Sequence, residues 1–123
     1  MAEFNPTLVL TFKTDEDLSS SAYRCVVLGS DGLMGIATSD IIHGVTTDNV
    51  ADGSSTEAAI SVQVLGVAKC EAGASFLAGA TVKATTGGKI TGSSGGDLSL
   101  GIALDAAGAD GDIVSVLIAR HEA

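Results

Sequence analysis

Apolar residues in this chain recur with a period of two, and glycine clusters interrupt them about every ten residues, a pattern of short strands joined by tight turns. Leu8, Leu10 and Phe12 alternate with Val9, Thr11 and Lys13. Tyr23 to Leu28 ends at Gly29-Ser30-Asp31-Gly32 and resumes from Leu33 to Ala37, which predicts a hairpin. Thr81 to Thr85 and Lys89 to Thr91 flank Thr86-Gly87-Gly88, which predicts a second. Ile60, Val62 and Val64 face one way, with Ser61 and Gln63 the other. Leu98 to Leu104 reads as a strand that Gly101 bends or bulges. Asp112 to Arg120 is apolar on both faces, which places it centrally in a sheet or at an interface. The expected fold is mainly β, a small β-barrel or β-sandwich with short glycine-rich turns. At most one short helical turn is expected, between Glu71 and Gly79.

At 123 residues there is room for one domain. Residues 1–13 read as an extended N-terminal arm or as the first strand of the sheet, and residues 14–123 as a single β domain. Thr38 to Glu57 is the least periodic stretch and is long for a loop; Ile41 to Val45 within it fits a short extra strand or a turn.

Charge narrows the partners. Six Lys+Arg against 15 Asp+Glu give a net charge of −9, which argues against nucleic acid and against an anionic membrane surface. The start, Met1 to Pro6, has neither the basic nor the apolar segment of a signal peptide, and no apolar run approaches a membrane span. Cys25 and Cys70 lie in apolar runs and read as buried small hydrophobes. Whether they are neighbours is not legible from their spacing.

The residues offer little chemistry. Asp15-Glu16-Asp17 reads as a solvated acidic loop, and Gly92 to Asp97 is one degenerate copy of a calcium-type repeat that works only in stacks. His43, His121, Cys25 and Cys70 match no metal-ligand spacing. No nucleophile elbow, phosphate loop or dinucleotide fingerprint occurs. Neither an enzyme nor any cofactor or metal is expected. The 16 glycines and four aromatic residues leave few large core contacts, so part of the stability is expected to come from self-association.

The second half carries a family pattern. Ile60 to Val67 ends in Gly66-Val67, and Ala74 to Val82 has a central Gly79. Gly87-Gly88-Lys89-Ile90 and Gly101-Ile102-Ala103-Leu104-Asp105-Ala106-Ala107 follow, before Asp110-Gly111-Asp112 and a final β run to Ile118. With the hairpin from Tyr23 and its Gly35-Ile36-Ala37 element, this order resembles the capsid cement, or head decoration, proteins of tailed bacteriophages. The likeness covers Tyr23 to Ala119; the acidic start, Thr14 to Asp17, and the longer Thr38 to Glu57 stretch depart from it.

The resemblance implies a non-enzymatic virion protein, assembled in the host cytoplasm. It would bind the exterior of the expanded head as a homotrimer and clamp neighbouring major capsid subunits. It also implies a shell contact in the N-terminal arm, here Phe4, Leu8, Leu10 and Phe12, by strand addition. Ile113, Ser115 and Leu117, on the doubly apolar last strand, are the candidate oligomer interface. The alternative is another phage virion β-protein, a tail or fibre component. A carbohydrate-binding module fits poorly, because the chain has no Trp and one Tyr to stack on sugars.

Overall fold

The computed structural model describes residues 7–93 and 97–122. Ten strands occupy them: β1 (Leu8–Thr14), β2 (Cys25–Leu28), β3 (Met34–Ile36), β4 (Gly44–Thr46), β5 (Ala58–Leu65), β6 (Val67–Glu71), β7 (Thr81–Ala84), β8 (Ile90–Gly92), β9 (Leu98–Ala103) and β10 (Ile113–Glu122). The architecture is mainly β, as the alternation predicts, and no helix occurs among the described residues. The stretch considered for a helical turn is extended instead. Its backbone forms the bridges Ala72↔Ile90 and Phe76↔Ala107, which claim the groups a helix would have used.

β1 to β5 close into a barrel in the order β1-β3-β2-β4-β5, and β6 to β10 form a five-stranded sheet in the order β6-β10-β9-β7-β8. Both expected hairpins are present. β2 pairs with β3 through Val26↔Ile36 and Leu28↔Met34, and β7 with β8 through Val82↔Gly92 and Ala84↔Ile90. Each turn places a glycine at positive φ where a side chain would be strained, Gly32 at 82° and Gly88 at 78°. β10 lies between β6 and β9, with Val114 and Val116 turned inward and buried. Its register against β9 shifts between Ile118 and His121, opposite Gly101. A Cβ on Gly101 would stand 1.8 Å from the Leu117 carbonyl oxygen, so the glycine lets the bulged strand come close.

The two sheets share one topology. Replace β1 to β5 by β6 to β10, and the barrel order becomes the order of the second sheet, opened between β6 and β8. The parallel pair Thr14↔Met34 that closes the barrel has its counterpart at that gap in the parallel bridge Ala72↔Ile90. Register follows as well. Phe12↔Ile60 matches Cys70↔Val114, Cys25↔Val45 matches Thr81↔Ile102, and Val45↔Gln63 matches Ile102↔Leu117. Tyr23, held at φ 61°, matches Gly79 at 87°. The chain is thus two five-stranded halves of one design joined at Gly66, itself at φ 96°.

The halves share a core. Inside the barrel, Leu18, Val26, Met34, Ile60 and Val62 pack together with Phe12 and Ile36 against them. A larger cluster fills the second half, and it includes Cys25, Ala37, Ile42 and Val45 from the barrel's outer side. Backbone bonds fix this seam: Cys25 N–H donates to Gly88 O at 2.8 Å, and Glu71 N–H to Tyr23 O at 2.9 Å. The Arg24 guanidinium adds bonds to the Glu71 carboxylate at 3.1 Å and the Gly87 carbonyl at 3.0 Å. The long Thr38 to Glu57 stretch supplies β4 and is stitched down by polar contacts. Thr46 Oγ1 donates to Ser21 O at 2.6 Å, and Asp40 accepts the Leu98 N–H at 2.8 Å.

Candidate functional surfaces

The candidate residues on β1 divide by depth. β1 runs antiparallel to β5 along its length, with Leu8 opposite Leu65, Leu10 opposite Val62 and Phe12 opposite Ile60. Phe12 is partly buried and packs on the barrel core. Leu8, Val9 and Leu10 are 45%, 44% and 40% exposed, and Leu65 beside them 49%. The ladder therefore begins in an apolar patch and ends in a core, because only the Phe12–Thr14 end is enclosed. Phe4 lies outside the described residues.

Ile113, Ser115 and Leu117 share the outer face of the second sheet. Ile113 and Leu117 are exposed, while Ser115 is partly covered, its N–H donating to Asp105 at 3.0 Å. Leu117 stands in a row across four strands, between Val67 on β6 and Ile102 on β9, with Thr81 of β7 next to Ile102. Reading the sequence strand by strand does not find Ile102, Leu65 or exposed Leu28, since register with other strands decides their surroundings.

The polar groups are occupied with turns. Asp17 accepts the Ser19 N–H and O–H at 3.1 and 2.6 Å, and Asp52 accepts the same pair from Ser54 at 2.9 and 2.6 Å. The Ser54 bonds hold the Asp52 carboxyl below its ordinary range. Glu16 accepts the Ile36 N–H at 3.3 Å at the edge of an open cleft shared with Asp15 and Asp31. His43 Nδ1 accepts the Leu28 N–H at 2.8 Å. Lys89 lies between Asp110 at 2.8 Å and Glu71 at 3.3 Å, and those carboxylates raise its pKa. Among the described residues no group of three or more His, Cys, Asp or Glu side chains is placed to hold a metal ion.

Cys25 and Cys70 are both free and buried in the shared core. Burial pushes the Cys70 thiol up to about 12, and burial together with Cys70 raises Cys25 well above its ordinary value. These are inert protonated thiols, packed as hydrophobes. They also answer the question of proximity that spacing left open: each comes from a different half, and they meet at the seam.

The fold has a solved counterpart. The N base of the head fibre of bacteriophage phi29 superposes with a TM-score of 0.71, covering 94% of this chain and 98% of that one at 18% sequence identity. At that identity the likeness is one of fold. A search of the curated proteins returns no match. The family model described as phage cement protein matches residues 2–118. With that match spanning both five-stranded halves, the chain belongs to the phage cement protein family, whose members are structural proteins of the virion.

Proposed function

We propose that this protein binds the outside of a phage head and stabilises its expanded form by clamping neighbouring major capsid subunits. It does so as a homotrimer, without catalysis or cofactor, and reaches the virion exterior after assembly in the host cytoplasm. The observation that carries the reading is the family match over residues 2–118, on a chain that presents an apolar strand end to solvent.

We assign the shell contact to that strand end, centred on Leu8 and Val9 with Leu65 beside them. Phe12 is committed to the barrel core and supports the contact from behind. β1 serves as the first strand of the unit, so residues 14–123 would lack the strand that pairs with β5. Deleting residues 2–13 therefore confounds binding with folding, and point substitutions at exposed residues are the cleaner probe.

The test is co-sedimentation of the protein with unexpanded and expanded heads that lack it. Saturable binding to expanded heads is expected. Leu8→Glu is expected to weaken it about tenfold or more, the scale of one leucine's burial. No binding to either form overturns the reading. Undiminished binding by Leu8→Glu keeps the function and moves the contact elsewhere.

A further inference from the structure

The duplicated topology allows one half to be used as a template for what the other half leaves uncovered. In the second half, the inner face of the sheet is covered by the first half's Cys25, Ala37, Ile42 and Val45. Ala68 and Ala84 on that face are 2% and 1% exposed. Their counterparts by register in the first half are Leu10 and Leu28, which are 40% and 39% exposed. The turn glycines repeat the contrast. Gly88 is buried, and a Cβ there would meet the Cys25 carbonyl oxygen at 2.6 Å. Its counterpart Gly32 is exposed, with nothing within 4 Å of such a Cβ. The first half thus has an open mouth, bounded by Leu10, Leu28 and the Asp31–Gly32 turn, where the second half has a seated neighbour.

The complementary surface is also present. In the first half, the outer row Cys25–Val45–Gln63 is 0%, 0% and 9% exposed, because it faces the seam. The matching row in the second half is Thr81–Ile102–Leu117, in which Leu117 is 40% exposed. This row is uncharged, so it meets the mouth without like-charge repulsion, although each chain carries a net −9.

We propose that the seam between the halves has a shallower counterpart between copies, met at the rim of the barrel because Leu10 and Leu28 stand where the second half has Ala68 and Ala84. The Thr81–Ile102–Leu117 row of one copy seats on the Leu10–Leu28 mouth of the next. The two surfaces differ, so the contact is heterologous, running head to tail and closing into a ring. The inference rests on the self-association proposed above and names the surfaces that carry it. It assigns Leu117 of the predicted interface a partner, and gives Leu10 to the second copy rather than to the shell.

The experiment is light-scattering mass measurement on the full chain, on Leu28→Glu, which blocks the mouth, and on Leu117→Glu, which blocks the row. Wild type is expected to be oligomeric and each variant monomeric, with native far-UV spectra. Mixed in equal amounts, the variants should form a dimer and nothing larger, since one intact mouth and one intact row remain. Should either variant lose its native spectrum, Leu10→Lys and Thr81→Arg replace the pair, with the same readings. Variants that keep the wild-type mass, or a mixture of folded variants that stays monomeric, overturn the assigned interface. A monomeric wild type overturns the self-association itself. Head co-sedimentation, measured separately, reports on the shell-binding reading alone.

Discussion

The buried thiols make stability fall in alkali by an amount that can be worked out. Cys70 is raised from 9.0 to about 12, and Cys25 is raised well above its ordinary value. In the unfolded chain both thiols ionise near 9.0, whereas in the folded chain both keep their protons. The folded state therefore binds more protons above that value, and stability falls as pH rises. Below 9.0 the full stability is present, and the loss continues until the folded thiols themselves ionise, near 12 for Cys70. Each thiol contributes about 1.4 kcal/mol per pH unit in that window, so two thiols cost about 4 kcal/mol by pH 10.5. That is a large share of the ~5–15 kcal/mol that holds a domain of this size. Urea denaturation at pH 8.0, 9.5 and 10.5 measures it, with Cys25→Ala/Cys70→Ala as the reference chain. The reference should start less stable and then change little, while wild type falls by about 1–4 M in its midpoint, given m of ~1–3 kcal/mol/M. Parallel decline of the two chains would refute the reasoning, because it would mean that the thiols titrate in the native fold.

Other substitutions probe the seam and the turns. Gly88→Ala combines a positive φ with a Cβ pressed against Cys25 O and Ile36, and should cost about 3 kcal/mol or more in urea denaturation. Gly111→Ala, at φ 98° with open space around it, should cost only about 1–2 kcal/mol, the backbone penalty alone. Arg24→Ala removes two bonds across the seam and should cost about 1–3 kcal/mol, with faster hydrogen exchange at the Cys25 and Glu71 amides than at the Val116 amide. Gln63→Ala releases the Leu65 and Val67 carbonyls that Nε2 ties together around Gly66, and a loss of about 1–2 kcal/mol is expected by the same assay.

The parts of the fold legible in the sequence are those fixed by near neighbours. Alternation at Ile60, Val62 and Val64 and at Val114 and Val116 places strands correctly, because a half-buried strand needs no more than a period of two. Gly32 and Gly88 mark their hairpins, because a positive φ selects glycine locally. The duplication was far less legible. Counterparts keep few identities, among them Val26 and Val82, Gly44 and Gly101, and Ser61-Val62 and Ser115-Val116. What persists is register, a property of strand pairs, and unequal loops shift the two halves out of any fixed spacing. The candidate surfaces follow the same rule. Leu8 and Phe12 share one alternating run, yet one is exposed and the other packs on the core, since depth is set by where the barrel closes.

Side-chain size explains why two halves of one design end up unlike. The first half fills its interior from its own residues, with Phe12, Met34 and Ile60 from strands and Leu18 from the β1–β2 connection. In the second half, the counterparts of Leu10, Phe12, Thr14 and Leu28 are Ala68, Cys70, Ala72 and Ala84, all small or apolar. That interior is too thinly filled to close on itself, and the vacancy is the shape of a neighbour's outer row. Cys25 and Val45 of that row, with Ala37 beside them in the same cluster, are fully buried there. The first half is thus a barrel because Phe12, Leu18, Met34 and Ile60 occupy the centre, and the second stays open at β6 and β8 because its alanines admit a strand pair from outside. On this account, enlarging Ala84 to Leu should not make the second half a better barrel. It should displace Cys25 and Val45 from the seam, at a cost of about 1–3 kcal/mol for overpacking a finished core. Reaction of the Cys25 thiol with a small alkylating agent, absent in wild type at pH 8, reads that displacement directly. A chain that accepts Ala84→Leu with an unreactive Cys25 and unchanged stability would show that the seam does not depend on those small residues.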